Sequence, residues 1–220
     1  MAIGKVIELS QEDRQRISEA VRAAERKTSA EIVPMLVARS GLYREARYRT
    51  GLALALVLLT ILLTGEALWL PWGWHAANAA WLILAMLAAY GIGIWLGTFG
   101  SVIRTVTSID RQRHKVKLRA ERAFAQHGIA QTSERTGILL MVSLLERQVY
   151  LLPDRGLTSQ VTTAQWDEVV KTVVEKLKEQ DIAGGLCAGI ERCGILLAQV
   201  SPATSGGNPN ELPDIVIDES

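Results

Sequence analysis

The chain has 220 residues, with 24 Lys and Arg against 23 Asp and Glu, a formal net charge of +1 and 49% hydrophobic residues. That near-balance excludes a general nucleic-acid binder, whose basic excess would dominate the composition, and two cysteines exclude a disulfide scaffold. The average hides an uneven spread, because the 54 residues between Arg49 and Arg104 hold a single charged side chain, Glu66.

In chain order, the first predicted element is an amphipathic helix. Ser10 caps it, Asp13 nearly completes a capping box, and Ile17, Ala20, Val21 and Ala24 recur at helical spacing. Thr28-Ser29 breaks the run, and Glu31 to Arg39 reads as a strand in which Pro34 suggests a sheet edge or a bulge. The almost chargeless segment follows. A bilayer core of ~30 Å needs about 20 apolar residues per helix. Residues 50–103 therefore read as a two-helix transmembrane hairpin, with spans at about 51–70 and 79–102. Pro71, Gly73 and Asn78 supply the turn, and Trp69, Trp72, Trp74 and Trp81 crowd it as an interfacial aromatic belt would.

Arginines set the expected orientation. Arg39, Arg44, Arg47 and Arg49 precede the first span, Arg104, Arg111, Arg113, Lys115, Lys117 and Arg119 follow the second, and the turn has neither Lys nor Arg. This bias predicts a multi-pass protein of the inner (plasma) membrane with both termini cytoplasmic. The first fifty residues are polar and contain no apolar run of the kind a cleavable signal needs. Ala89, Gly93 and Gly97 form a small-residue ridge for transmembrane packing. It suits the first span of the same chain, with homodimerisation as the alternative.

Beyond the hairpin, Arg111 to Gln126 is a charged helix closed by Gly128. Gly137 to Ser143 is a continuous apolar run, suited to a strand buried on both faces, and Val149 to Leu152 makes another strand. Thr163 caps a helix with an apolar stripe of Trp166, Val169, Val170, Val173, Val174 and Leu177. Ala183-Gly184-Gly185 is expected to end it, Leu186 to Val200 forms the last helix, and 201–220 is a loop with an acidic tail. Neither flank holds enough elements to bury a core alone. The expected fold is an α/β sandwich interrupted by a transmembrane α-helical hairpin, with 1–49 and 104–200 forming one discontinuous cytoplasmic domain.

This order of elements resembles the TPM domain family, named for thylakoid, photosystem-repair and receptor-modulator proteins. The resemblance rests on Leu9-Ser10, Ala24-Glu25, Thr28-Ser29-Ala30-Glu31-Ile32-Val33, Thr136-Gly137 through Ser143, Glu146-Arg147 with Val149, Asp154-Arg155-Gly156, and Gly184-Gly185-Leu186. The tail Asn210 to Asp214 is similar to that of a bacterial subgroup of uncharacterised membrane proteins with a two-helix insertion. The resemblance implies a two- or three-layer α/β sandwich. For some relatives it implies divalent-metal binding and acid phosphatase activity, and for others a role in assembly or receptor clustering.

The residues themselves carry few catalytic patterns. Arg192 follows Cys187 one place too early for a Cys-x5-Arg phosphate loop, and His75, His114 and His127 are too scattered to share a metal. Glu25, Glu31, Glu146 and Asp154 lie at the ends of elements, and oxygen ligands of this kind suit Ca²⁺ or Mg²⁺. Their plainer reading is as solvated or paired ends. The expected function is a binding or assembly module held at the membrane. Membrane lipids and a membrane-protein partner or a second copy are the expected contacts, with no nucleic acid. The alternative is a membrane-anchored, divalent-metal-dependent phosphatase.

Overall fold

The computed structural model describes residues 9–68, 76–203 and 210–219. The described chain divides into two units, one built on Leu42–Gln112 and the other on Val6–Gly41 with Arg113–Ser220.

Alternation along two buried strands organises the larger unit. Strand β1 (Glu31–Val37) pairs in parallel with β2 (Gly137–Ser143), and all seven residues of each are buried. Buried on both sides, such strands read as unbroken apolar runs. Ile32, Leu36, Ile138, Leu140 and Val142 point to one face, where they meet α1 (Gln11–Glu25), α7 (Thr163–Lys178) and α8 (Ile182–Val200) through Ile17, Val21, Val173 and Ile190. Val33, Met35, Val37, Leu139 and Met141 point to the other face. There they pack on Val116, Ala120 and Ala123 of α5 (Ile109–Gln126) and on Ile129 of a short 3₁₀ turn. The result is three layers, with a core on each side of the sheet.

Strand β3 (Gln148–Pro153) runs antiparallel to β2, and β4 (Ile217–Glu219) runs parallel to β1, giving the order β3-β2-β1-β4. The acidic tail is thus part of the sheet. β4 meets β1 only over Met35–Val37, so Pro34, which has no N–H to donate, lies just before the covered stretch.

Local signals form the helix starts. Ser10 and Asp13 make a full capping box on α1. Thr162 rather than Thr163 caps α7, because Gln165 stands three residues on and completes its box. Ala183, Gly184 and Gly185 do not end a helix but open α8, whose cap is Asp181, with Oδ1 accepting from the Gly184 N–H at 2.7 Å. Glycine serves close approach here: a Cβ on Gly194 would stand 2.7 Å from the Ala24 Cβ on α1. A four-residue helix, α6 (Arg155–Thr158), follows Asp154.

In the smaller unit α2 (Arg44–Leu68) and α3 (Ala76–Leu96) pack side by side. Ala89, Gly93 and Gly97 are buried along this contact, and a Cβ on Gly93 or Gly97 would stand 2.6 Å from the Cα of Gly51 or Arg47, respectively. The second span, expected to reach residue 102, is not one straight helix: α3 ends at Leu96, and α4 (Gly100–Val106) leaves at 101°. The tryptophan-rich turn around Pro71 and Gly73, and His75, lie outside the described residues.

Among the described residues two helices are long and apolar enough to cross a membrane, Arg44–Gly65 and Ile182–Val200. A third counts only if the bent pair Ala80–Leu96 and Gly100–Val106 is one span. Burial separates the first two, at 11% for Arg44–Gly65 against 44% for Ile182–Val200. Leu186, Ile190, Cys193 and Leu197 of α8 are all core residues, so its apolarity is accounted for by the sandwich.

Candidate functional site

One rim of the sheet gathers most of the chemistry. Register places Glu31, Gly137 and Asp154 in one row across three strands, since Glu31 pairs with Gly137 and the Asp154 N–H donates to the Gly137 carbonyl at 2.9 Å. Strand spacing puts Glu31 and Asp154 about 10 Å apart. Threonine and serine hydroxyls bind the loops beneath this rim. Thr28 Oγ1 donates to the Ser201 carbonyl at 2.6 Å, and Thr136 Oγ1 donates to the Ser29 carbonyl at 3.1 Å. Gly156 lets Asp154's loop close on its neighbour: a Cβ there would stand 2.6 Å from the Arg135 carbonyl oxygen.

Glu25 and Glu31 converge at the rim with two tail acids, Glu211 and Asp214. Glu25 Oε1 accepts from the Ile32 N–H at 2.8 Å. Burial is the main force pushing the Glu25 carboxyl up to about 8, against that hydrogen bond and with help from Glu31 and Asp214. Burial also raises Glu31, although amide donors from Glu211 and Leu212 favour its charged form. Asp214 receives the Arg22 guanidinium at 3.0 Å, while Glu211 accepts from the Ser133 amide at 2.8 Å.

Asp154 is 5% exposed. Its Oδ1 accepts from the Arg155 N–H at 2.7 Å, capping α6, and its buried Oδ2 has no hydrogen-bond partner, with Arg135 Nη1 standing 3.8 Å away. Glu146 is elsewhere. It follows the far end of β2, six strand residues or about 20 Å from Gly137. There its Oε1 accepts from the Ser40 N–H at 3.0 Å and its Oε2 from the Ser143 hydroxyl.

The four acids expected to act together are therefore split. Glu25 and Glu31 adjoin, Asp154 shares their rim, and Glu146 belongs to the opposite end. Glu211 and Asp214 join the rim from the tail, where the sequence already allowed these two acids to reach the cluster or the segment Asn210 to Asp214 to dock back on the domain. Among the described residues no three Asp, Glu, His or Cys side chains are arranged to hold a metal ion. The cysteines are poor nucleophiles: Cys193 is fully buried with its thiol pushed up to about 12, and burial raises Cys187 as well.

Residues 98–195 match the family model of the TPM domain. No functionally curated protein matches the chain. The NMR structure of BA42 protein from the psychrophilic bacterium Bizionia argentinensis is similar in fold, with a TM-score of 0.59 over 98% of this chain and 99% of that one. Sequence identity is 19%, so the likeness speaks for the fold alone.

Proposed function

Starting from a chain that carries a TPM domain across residues 98–195, we propose a membrane-anchored binding or assembly module. In this reading the α2–α3 hairpin spans the plasma membrane and the α/β unit faces the cytoplasm. The observation that carries it is the surface of the hairpin. Leu52, Leu56, Ile61, Ile83, Leu87 and Ile92 are all large, apolar and exposed, a surface suited to lipid and costly in water.

The module reading is supported by what the rim and its neighbours do with their acids. Asp154 caps a helix, Asp214 pairs with Arg22, and Glu25, raised by burial, accepts from the Ile32 N–H, while at the opposite end of the sheet Glu146 accepts from Ser40 and Ser143. These are structural tasks, and they leave the carboxylates committed within the fold. Membrane-bound partners recovered by cross-linking in intact membranes, and lost when the rim is altered by Glu31→Lys, are the expected result. Recovery unchanged by that substitution would move the binding surface away from the rim.

A divalent-metal-dependent phosphatase is the second reading, favoured by the buried Oδ2 of Asp154, which accepts no hydrogen bond. Detergent-purified protein assayed with Mg²⁺ or Ca²⁺ separates the two. Turnover abolished by Asp154→Ala would establish the enzyme and overturn the module.

A further inference from the structure

The bend between α3 and α4 gives the hairpin a second surface, distinct from its apolar sides. We propose that this corner is a seat for anionic lipid headgroups, with α4 lying along the leaflet surface; the inference rests on the hairpin spanning a bilayer. If α3 runs across the membrane, a departure at 101° lays α4 in the plane of the interface. Trp95, on the last turn of α3 and 61% exposed, packs edge-on against Phe99 with ring centroids 5.1 Å apart. Aromatic side chains of this kind favour the headgroup level.

Charge converges on the same level. The close approach of Gly97 to the Arg47 Cα brings the first turns of α2 beside the corner. Arg44, Arg47, Arg49 and Arg111 are exposed, and Arg104 lies on α4 itself. Against these five cations the segments 42–49 and 97–112 hold only Glu45 and Asp110, and Glu45 is already 3.6 Å from Arg111. Exposed Leu42, Tyr48 and Ile109 are interleaved with the arginines, the mixture that an interfacial surface buries at the headgroup boundary.

The far end of α4 is tied to the start of α5. Gln112 is buried, and its Nε2 donates to the carbonyls of Arg104 at 3.1 Å and Thr107 at 2.8 Å. These bonds satisfy acceptors that a short helix leaves open at its end. Excess positive charge, continuity with the apolar hairpin and a helix that leaves it at 101° together select a negatively charged lipid surface over a zwitterionic one.

The test uses the full chain in nanodiscs of phosphatidylcholine with increasing phosphatidylglycerol. Lipid retained after detergent extraction is quantified by mass spectrometry, and amide exchange is followed over residues 97–108. The wild type should enrich phosphatidylglycerol and show slower exchange in its presence. Each of Arg44→Gln, Arg47→Gln and Arg104→Gln should reduce the enrichment several-fold, about fivefold at most. The triple Arg→Lys variant should keep it, and Lys178→Gln, on α7, should leave it unchanged. Equal retention of both lipids, or the same loss from Lys178→Gln, would overturn the proposal. Carbonate extraction in parallel distinguishes the premise: protein released into the aqueous phase refutes the spanning hairpin itself. Protein that stays in the bilayer without lipid preference refutes the headgroup seat alone.

Discussion

Glu25 shows how one buried side chain sets a pH dependence. Its ordinary value of 4.5 is raised to about 8 in the fold, first by burial and then by Glu31 and Asp214. Between those values the folded chain holds a proton that the unfolded chain releases, so stability falls as pH rises from 4.5 and levels off above 8. Glu31 is raised too and adds to the same trend. Glu25→Gln keeps an oxygen for the Ile32 N–H and removes the charge. Thermal melts should show it little changed at pH 4.5 and more stable than wild type at pH 9, by on the order of 1 kcal/mol once solvent screening is allowed for. A wild-type melt that does not vary across this range would contradict the assignment.

At the same scale, Glu25 and Glu31 were recognisable in the sequence as acids at element ends, but their being neighbours was not. Five residues separate them, and only the reversal at Thr28-Ser29 brings the end of α1 back beside the start of β1. Glu146 looked equivalent. The direction of β2 carries it to the other end of the sheet, and no local pattern encodes which rim a turn will face.

At the scale of elements, the tail is the clearest case of order supplied from a distance. Val216 is buried against the core of α1, α7 and α8, and Leu212 packs in the opposite one. Arg14 pairs with Asp218, Arg119 with Glu219, and Arg22 with Asp214. Truncation after Gly207 should cost roughly 2–4 kcal/mol, the value of one buried and one partly buried aliphatic side chain, read by urea denaturation. It should also promote association, because it uncovers the edge of β1. Loss of less than 1 kcal/mol would mean that the strand contributes little.

The hairpin offers a paired comparison. A Cβ on Gly93 meets Gly51 backbone at 2.6 Å, whereas one on Gly91 meets nothing within 4 Å. Gly93→Leu should therefore destabilise α2–α3 packing by about 1–3 kcal/mol. Gly91→Leu should be close to neutral when the two are compared by thermal unfolding in detergent. Equal effects would indicate that the helices do not meet along this ridge.

For the whole molecule, the proposed topology rests on the uneven distribution of charge. Arginines flank the chargeless segment on both sides, so a reporter fused after residue 220 should be active in the cytoplasm, and one inserted between the spans should be active outside. An external C-terminus would reverse the orientation and remove the cytoplasmic module.

The sequence by itself determined whatever depends on near neighbours. The capping box at Ser10 and Asp13, the buried run from Gly137 to Ser143 and the apolar length of α2 all follow from spacing, because backbone geometry repeats over a few residues. Tertiary structure alone decided the rest. The strand made from Ile217 to Glu219 depends on pairing with Met35–Val37, far away in sequence. So does the meeting of Glu25, Glu31, Glu211 and Asp214. Burial of Glu25 itself raises it, with Glu31 and Asp214 adding to the effect, and burial belongs to the packed fold rather than to any stretch of chain.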